Sequence, residues 1–360
     1  MEDRLRYKTG IAVIGAGQAG LSAAYHLKKR GLEPGSDFII FDEAPRPGGA
    51  WQFRWPSLTL STVNRIHDLP GMAFDETTDT HETEVRASVA VPHYYETYEK
   101  KFGLRVYRPV KVEKVYLHRE RFYIDTPENR FSALGIINAT GTWENPYIPE
   151  YPGAGLFRGE QLHTRDFKTA EYFKGKHVIV VGAGISAIQL LDQISRVTTT
   201  TWVTRRVPEF REGPFDDVAG HNAVAMVEER VRKGLPPLSV VSVTGLPLSP
   251  AVIDMKKRGV LKRFPMFSEI TLTGIRWPDG REEKADVILW NTGFKSSLAH
   301  LDPVLPREEG GGILMDGSLA TRVAKEPRIH LVGYGPSAST IGANRAGGAA
   351  VRELMKTLGI

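Results

Sequence analysis

The stretch GIAVIGAGQAGLSAAYHLKKRGL (residues 10–32) joins a short apolar run, a glycine-rich turn and a segment with helical periodicity. A second apolar run, FIIF (residues 38–41), follows it. The order strand, turn, helix, strand is typical of a βαβ unit. In the turn, Gly15, Gly17 and Gly20 permit a tight bend, close approach of a pyrophosphate and close packing of the helix on the strand. The stretch therefore predicts a dinucleotide-binding domain.

The acidic residues after the second strand support this interpretation. Asp42 lies 22 residues beyond Gly20 (42 − 20 = 22), where a carboxylate can bind ribose hydroxyls. We prefer Asp42 because it directly ends the apolar run, with Glu43 as the alternative. Glycine-rich turns also occur for packing alone, but the strand, helix and acid together favour a bound dinucleotide.

A second copy of the module is HVIVVGAGISAIQLLDQISRV (residues 177–197). Its turn starts at Gly182, 167 residues after Gly15 (182 − 15 = 167), and Ala187 takes the third glycine position. The next strand ends in Arg205 and Arg206 instead of an acid. A guanidinium can bind the 2′-phosphate of NADP with two hydrogen bonds, whereas a carboxylate would repel it. Adjacent arginines also occur as a solvated strand end, but the pattern predicts NADPH over NADH.

Two modules imply two dinucleotides, and the different charges imply different ones. We therefore expect FAD at the first module and NADPH at the second. Residues 104–141 and 268–294 alternate apolar and polar positions, which indicates an antiparallel meander beside each module. The predicted fold is α/β, with two Rossmann-like domains that each contain a βαβ core and a meander. The FAD domain is expected to comprise residues 1–155 and 290–360, and the NADPH domain residues 156–289.

Composition excludes several classes of protein. The 360 residues contain no cysteine, which excludes disulfides, zinc–thiolate sites and a redox-active cysteine pair. The net charge of +5 is scattered and does not favour nucleic-acid binding. No apolar run approaches the about 18 residues of a membrane span, and no signal peptide is recognisable, so we expect a cytoplasmic protein without membrane attachment. The histidines lack metal-ligand spacing, and no metal site is predicted.

The stretch FRGEQLHTRDF (residues 157–167) narrows the family. With Phe157, Gly159, His163 and Phe167 it resembles the identifying F-x-G-x-x-x-H-x-x-x-(Y/F) pattern of the flavin-containing monooxygenases. The related Baeyer–Villiger enzymes have Trp followed by Pro or Asp where this chain has Phe167-Lys168. The GGAW run (residues 48–51) and the two Thr-Gly strand ends at 140–141 and 292–293 are also similar to the family. The chain looks closest to its short bacterial members.

The resemblance implies a role for each matching residue. The residues expected at FAD are Gly15, Gly17, Gln18, Ala19 and Gly20 on the pyrophosphate, Asp42 or Glu43 on the ribose, Gly49 and Trp51 near the flavin, Val112 on the adenine through its backbone, and Thr140 and Gly141 at the strand end. Those expected at NADPH are Gly182, Gly184, Ile185, Ser186 and Ala187, with Arg205 and Arg206. His163 and Gly293 are further expected cofactor-binding residues.

Three further expectations come from the resemblance. His163 is expected to fix the relation of the two domains and not to act as a general base. The helix after Gly333-Tyr334-Gly335 would direct its amino terminus at the flavin. Asn64 is the candidate catalytic residue, since the family uses an Asn near the flavin, although a turn Asn explains it equally well.

The implied activity is an FAD-dependent, NADPH-using monooxygenation. Hydride passes to the flavin, O2 adds to give a C4a-hydroperoxyflavin, and oxygen goes to a soft nucleophile (S or N) or a ketone of a small molecule. The alternative is an NADPH oxidase or dehydrogenase that passes electrons to O2, a quinone or a partner. A nucleotide-sensing flavoprotein is less favoured because the chain has all the NADPH features. A homodimer is common for such folds and is a candidate state here.

Overall fold

The computed structural model describes residues 5–63, 66–79, 81–82, 84–212, 217–238 and 245–360. The chain divides into two compact units, each described separately here. Unit 1 comprises Met1–Glu144, Val224–Leu238 and Ser296–Ile360, and unit 2 comprises Asn145–Ala223 and Ser239–Lys295. The boundaries at 144/145 and 295/296 differ from the expected 155/156 and 289/290, and residues 224–238 join unit 1.

Unit 1 contains a mostly parallel sheet at its centre. Its strands are β1 (Leu5–Lys8), β2 (Ile11–Ile14), β3 (Phe38–Phe41), β4 (Val106–Tyr107), β5 (Lys114–His118), β6 (Arg121–Asp125), β7 (Arg130–Ala133), β8 (Gly135–Asn138), β19 (Met315–Asp316), β20 (Arg322–Val323) and β21 (Ile329–Leu331). Within the described residues the central sheet has the order β19-β20-β21-β8-β2-β3-β4. Strands β2, β3 and β8 are buried along their whole length, as expected for parallel strands covered on both faces.

The register of this sheet brings three strand ends together. Ile14 pairs with Phe41 on one side and with Asn138 on the other. The residues that follow these three strands, Gly15, Asp42 and Ala139, therefore emerge at the same carboxyl edge. The sheet thus positions the first glycine turn, the ribose acid and the Thr140-Gly141 loop next to one another.

The helices of unit 1 cover the sheet. They are α1 (Gln18–Lys29), α2 (Ala87–Phe102), the part of α4 (Asp217–Arg232) from Val224 onward, and α6 (Thr340–Leu358). Helices α1 and α6 cross closely because Gly347 lacks a side chain: a Cβ there would lie 2.6 Å from Ser22 Oγ. The second sheet of the unit, β1-β7-β6-β5, contains the antiparallel meander β5-β6-β7.

Unit 2 repeats the plan with a parallel sheet of order β14-β11-β10-β18-β9 in the described part of the chain. Its strands are β9 (Glu160–His163), β10 (Val178–Val181), β11 (Thr200–Val203), β12 (Phe210–Arg211), β13 (Leu246–Pro247), β14 (Arg263–Phe264), β15 (Glu269–Thr271), β16 (Gly274–Arg276), β17 (Glu282–Lys284) and β18 (Val287–Trp290). The helices assigned wholly to unit 2 are α3 (Ile185–Ile194) and α5 (Pro250–Lys257). Strands β15, β16 and β17 form the second meander.

The predicted α/β fold is confirmed. Both units contain a parallel sheet with a strand–glycine turn–helix–strand segment, and each has an antiparallel meander. No helix in the described ranges is both long and apolar enough to cross a membrane.

Two buried histidines lie in unit 1. His300 Nε2 is 2.8 Å from Asn138 Oδ1, so the ring donates a proton to the amide oxygen. His330 lies inside β21 with Nδ1 3.1 Å from Thr321 Oγ1. Burial lowers the pKa of His300 to about 4 and that of His330 to about 4, from 6.5. Both rings are therefore neutral at neutral pH.

We expect the stability of the protein to fall as the pH decreases from 6.5 towards 4. In this range the unfolded chain binds protons that the folded chain excludes, and each ring contributes up to about 3 kcal/mol to the loss. His300→Gln keeps a donor for Asn138 but does not titrate. Urea unfolding at neutral pH and near pH 5 should show a smaller pH dependence for this variant.

His118→Gln, on an exposed strand end, serves as the control and should keep the wild-type pH dependence. An unchanged difference between the two pH values in His300→Gln would contradict the assignment of this ring to the acid loss.

Candidate functional site

In the first glycine turn, close packing requires glycine at two of the three positions but not at the third. Gly15 has φ +100°, and a Cβ there would lie 2.5 Å from the Ala139 carbonyl oxygen. A Cβ at Gly20 would lie 1.8 Å from Gly15 O. A Cβ at Gly17, in contrast, would meet only Gly49 Cα, at 3.9 Å. Packing therefore explains the first and third glycines, and the second borders open space that a ligand can approach.

Helix α1 begins at this turn without a side-chain cap. Its N-cap is Gly17, no side chain accepts a hydrogen bond from the helix start, and the first turn contains no acid. The amides of this turn therefore direct free N–H groups and a partial positive charge into the open space. This arrangement fits a pyrophosphate group.

The second glycine turn has the same division of roles. Gly182 has φ +132°, and a Cβ there would lie 2.3 Å from Asn291 O. A Cβ at Gly184 would meet no atom within 4 Å. Helix α3 starts after Gly184 without a side-chain cap, and its first turn consists of Ile185, Ser186 and buried Ala187. Unit 2 therefore has an open turn of its own, whose free N–H groups fit a phosphate group.

Asp42 is buried at the end of β3 and is already hydrogen-bonded. The Ala44 N–H donates to Oδ1 (3.1 Å), and Arg108 donates to Oδ2 (2.9 Å). Arg108 also makes a bidentate pair with Glu99, at 2.9 and 3.0 Å. Each Asp42 oxygen can still accept a second hydrogen bond, which a ribose hydroxyl would supply. Glu43 is exposed, with Lys111 Nζ at 3.7 Å.

Val112 combines a buried side chain with an unused backbone. The side chain packs in the hydrophobic cluster of unit 1. Its N–H and C=O make no hydrogen bond within the described residues. The backbone is therefore available to an adenine base, as the resemblance implies.

A hydrogen-bonded chain connects Tyr95 with Gln18 and the last helix. Tyr95, which lies beside Trp51, donates its OH to Gln18 Oε1 (2.5 Å). Gln18 Nε2 donates to Asn344 Oδ1 (2.9 Å), and Asn344 donates to the Asp68 carbonyl oxygen. Burial raises the pKa of Tyr95, which keeps its hydroxyl a donor. The Gln18 side chain is occupied by this chain, so only its backbone amide can serve a cofactor.

The Thr140-Gly141 loop is held by side chains behind the sheet edge. Asn138 Nδ2 donates to Thr140 Oγ1 (3.0 Å), which donates to Ser297 O (2.7 Å). Gly141 has φ +63°, and a Cβ there would meet no atom within 4 Å. The loop is thus fixed from within and open at Gly141.

At the end of β11 in unit 2, Arg205 and Arg206 are exposed and form no ion pair among the described residues. A third arginine, Arg263 on β14, supports the turn before them. Its Nε donates to Thr204 Oγ1 (2.7 Å) and its Nη2 to Thr204 O (3.1 Å). Thr204 Oγ1 in turn donates to Arg206 O (2.7 Å). Sequence reasoning did not find Arg263, because its position follows from strand pairing 59 residues away.

His163 lies at the end of β9 with both ring nitrogens in use. The Arg165 N–H donates to Nδ1 (3.1 Å), so Nε2 carries the proton and donates to Gly293 O (2.9 Å). The ring packs edge-to-face on Phe294, with centroids 4.8 Å apart. Burial lowers the pKa of His163, and the ring is neutral. These partners all belong to unit 2, whereas the expected FAD domain, with residues 290–360, includes Gly293.

Two further contacts fix the same strand ends. Thr164 Oγ1 donates to Asn291 Oδ1 (2.8 Å), which explains an Asn at this strand end. The Trp202 indole N–H donates to Gly182 O (2.8 Å). Neither Thr164 nor Trp202 was identified from the sequence, because their partners are distant in the chain.

Two other expectations have different outcomes. Asn64, the candidate catalytic residue, lies outside the described residues. The helix expected after Gly333-Tyr334-Gly335 begins at Thr340, and the Ser339 side chain caps it by accepting from Gly342 N–H. The described part of the chain contains no cluster of three or more His, Asp or Glu residues that could hold a metal ion.

Comparison with known proteins identifies the family. A family model described as pyridine nucleotide-disulphide oxidoreductase matches residues 12–221, more than half of the chain. A flavin-containing monooxygenase from Stenotrophomonas maltophilia is similar in structure with a TM-score of 0.81 and 32% sequence identity, over 98% of this chain and 99% of that chain. The chain belongs to the flavin-containing monooxygenase family. The predicted family, its oxidoreductase class and its cofactors, FAD and NADPH, are thereby confirmed.

Two curated relatives are more distant. An indole-3-pyruvate monooxygenase of Oryza sativa subsp. japonica is 27% identical, covering 82% of this chain and 79% of that protein. An uncharacterised oxidoreductase of Geobacillus kaustophilus is 30% identical, but the match covers 53% of each protein, so the chain aligns with about half of that relative. The chain has no cysteine, so it lacks the redox-active pair of a disulphide reductase.

His163→Ala should impair the coupling of NADPH oxidation to oxygenation more than it impairs FAD binding. The substitution removes the donor to Gly293 O and leaves Arg165 N–H without its acceptor, at a cost of about 1–3 kcal/mol to unit 2. FAD content is measured by absorbance, and coupling by peroxide released per NADPH oxidised.

His177→Ala, which removes another unit 2 histidine at the amino end of β10, is the matched control. Loss of FAD together with unchanged coupling in the reconstituted fraction would contradict the role assigned to His163.

Proposed function

We propose that the protein is an FAD-dependent, NADPH-using monooxygenase that oxygenates a sulfur or nitrogen nucleophile or a ketone of a small molecule. The observation that carries this proposal is the pair of open glycine turns. At Gly17 and Gly184 the nearest non-neighbouring protein atoms leave room for a ligand, and each turn opens a helix without a cap. Similarity to a flavin-containing monooxygenase over nearly the whole chain supports the reaction type.

In this proposal unit 1 holds FAD. The turn Gly15 to Gly20 and the start of α1, including the backbone of Gln18 and Ala19, bind the pyrophosphate. Asp42 accepts from the ribose, and the Arg108 guanidinium, 2.9 Å from Asp42 Oδ2, orients its carboxylate. Val112 meets the adenine through its backbone. Gly49, Trp51, Thr140 and Gly141 border the flavin.

Unit 2 holds NADPH in the same way. Gly182, Gly184 and the first turn of α3 (Ile185, Ser186, Ala187) bind the pyrophosphate. The 2′-phosphate is bound by Arg205 and Arg206, whose turn is fixed by Arg263 through Thr204. His163 holds Gly293 at the neighbouring strand end. The backbone there is thus kept in one conformation beside the nucleotide.

A flavin held by the unit 1 residues would supply the oxygen chemistry. The chain therefore needs no nucleophile–base pair, and its own task is to orient the cofactors and exclude water. The neutral, doubly hydrogen-bonded His163 fits a positioning role and not that of a general base. The substrate in this scheme is a small molecule, and O2 is the co-substrate.

The test is an NADPH-dependent oxygenation screen of the holoenzyme over thioethers, amines and ketones, with peroxide release measured in parallel. We expect an oxygenated product from at least one class and less peroxide in its presence. Stopped-flow spectra should show the hydroperoxyflavin absorbance band before peroxide is released. An oxidase would instead release one peroxide for each NADPH oxidised with every class of substrate, and its spectra would lack that band.

Arg205→Ala and Arg206→Ala should raise the KM for NADPH by about 10-fold or more and leave the KM for NADH nearly unchanged. Each removes a charge-assisted hydrogen bond to the 2′-phosphate. Arg263→Lys should have a smaller effect of the same kind, because one ammonium group cannot reproduce both contacts to Thr204. Steady-state kinetics with both nucleotides measure the difference.

Arg276→Ala removes an equal charge from the unit 2 meander, where it pairs with Glu269 and Glu282, and is the control for net charge. Equal kcat/KM for NADPH and NADH in the unsubstituted enzyme would contradict the assignment of Arg205 and Arg206.

A further inference from the structure

Arg54 of unit 1 lies among aromatic rings. It follows the short 3₁₀ helix Gly49–Phe53, and its backbone N–H donates to Trp51 O (3.1 Å). The guanidinium carbon is 4.7 Å from the ring centroid of Trp143 and 6.0 Å from that of Trp51. Phe53 stacks on Trp143 with centroids 6.1 Å apart and 10° between the planes. The charged group therefore rests on indole faces.

Arg54 has no anionic partner within the described residues, and no acceptor there takes a hydrogen bond from its guanidinium. Arg108 of the same unit provides the contrast, since it is bonded to two carboxylates, Asp42 and Glu99. Burial lowers the pKa of Arg54 to about 10, so the side chain remains charged at neutral pH. The free-energy cost of removing a cation from water without a counter-charge exceeds the stabilisation that contact with aromatic faces provides. The missing anion is therefore one that a ligand can bring.

The surroundings specify the kind of anion. A guanidinium stacked on an indole face keeps its N–H groups free at its edge, where they match a planar carboxylate with two hydrogen bonds. Arg54 is only half-buried, so its edge can be reached. The partly exposed Trp51 offers an apolar face beside it, which suits the apolar or aromatic part of the same ligand, whereas Trp143 is buried beneath Phe53 and Arg54.

We propose that Arg54 is a substrate-binding residue that takes the carboxylate of an acidic substrate, whose apolar part lies against Trp51. This inference rests on the proposed function, in which Trp51 borders the flavin. The same chemistry would bind a phosphate of either dinucleotide. The carboxylate is favoured because each pyrophosphate has its own glycine turn and uncapped helix, and the 2′-phosphate has Arg205 and Arg206.

The experiment compares two probes on the oxidised, FAD-loaded enzyme: (phenylthio)acetate and its uncharged methyl ester. Dissociation constants come from the perturbation of flavin absorbance, without turnover. We expect the acid to bind at least about 10-fold more tightly than the ester. Arg54→Met, which keeps the volume without the charge, should abolish this preference and leave ester binding within about 2-fold.

Arg105→Met, on the exposed surface of unit 1, should keep the preference and is the matched control. Equal binding of acid and ester by the unsubstituted enzyme, or an unchanged preference in Arg54→Met, would overturn the proposal. If Arg54→Met does not retain FAD, Arg54→Lys takes its place in the test. A ratio of ester to acid dissociation constants that falls towards one supports the carboxylate contact, and an unchanged ratio overturns it.

A second set of measurements separates the sources of the anion. Arg54→Met could instead raise the KM for NADPH or weaken FAD binding, to the same extent in the presence of the acid and of the ester. That result would assign Arg54 to a cofactor phosphate and overturn the substrate role. Because binding is measured without turnover, selective binding of the acid without any oxygenation would refute the proposed function while leaving the carboxylate site intact.

Discussion

The close approach of a glycine turn to the end of a neighbouring parallel strand is the constraint on which the structure depends. In unit 1 the site of a Cβ at Gly15 lies 2.5 Å from Ala139 O, and in unit 2 that of Gly182 lies 2.3 Å from Asn291 O. No side chain fits there, so the chain can turn from strand to helix only with glycine at these positions. The register of the sheets then brings the candidate cofactor-binding residues to one edge in each unit.

Because of this constraint, the residues behind each strand end are held by hydrogen bonds, and the glycine positions in front of it are open. Tyr95, Thr140, Thr164 and Trp202 hydrogen-bond the backbone or side chains behind each strand end. In front of them, a Cβ at Gly184 would meet no atom within 4 Å, and one at Gly17 would meet only Gly49 Cα, at 3.9 Å. A surface of this kind is preorganised for phosphate, because its amides are oriented before the ligand arrives. Charge then distinguishes the two units, with Asp42 in one and Arg205 in the other.

The sequence predicted most of the fold because its signals are local. Glycine spacing, apolar runs and the acid or arginine at a strand end lie within one βαβ unit, so local periodicity identified both modules and both meanders. The contacts that hold the sites are not local. Arg263 reaches Thr204 and His163 reaches Gly293 through strand pairing over 59 and 130 residues. Sequence spacing therefore indicated that His163 belongs to a motif, but not which atoms it contacts.

The sequence by itself determined two dinucleotide modules, their different nucleotides and the family, because these depend on residue types at fixed short spacings. Only the tertiary structure decided which charges are neutralised. Asp42 and Arg108 are buried against each other, whereas Arg54 rests on Trp143 without an anion among the described residues. The reason is physical: whether a charge has a partner depends on residues that the fold brings together, and the residues around Arg54 and Arg108 come from separate parts of the chain.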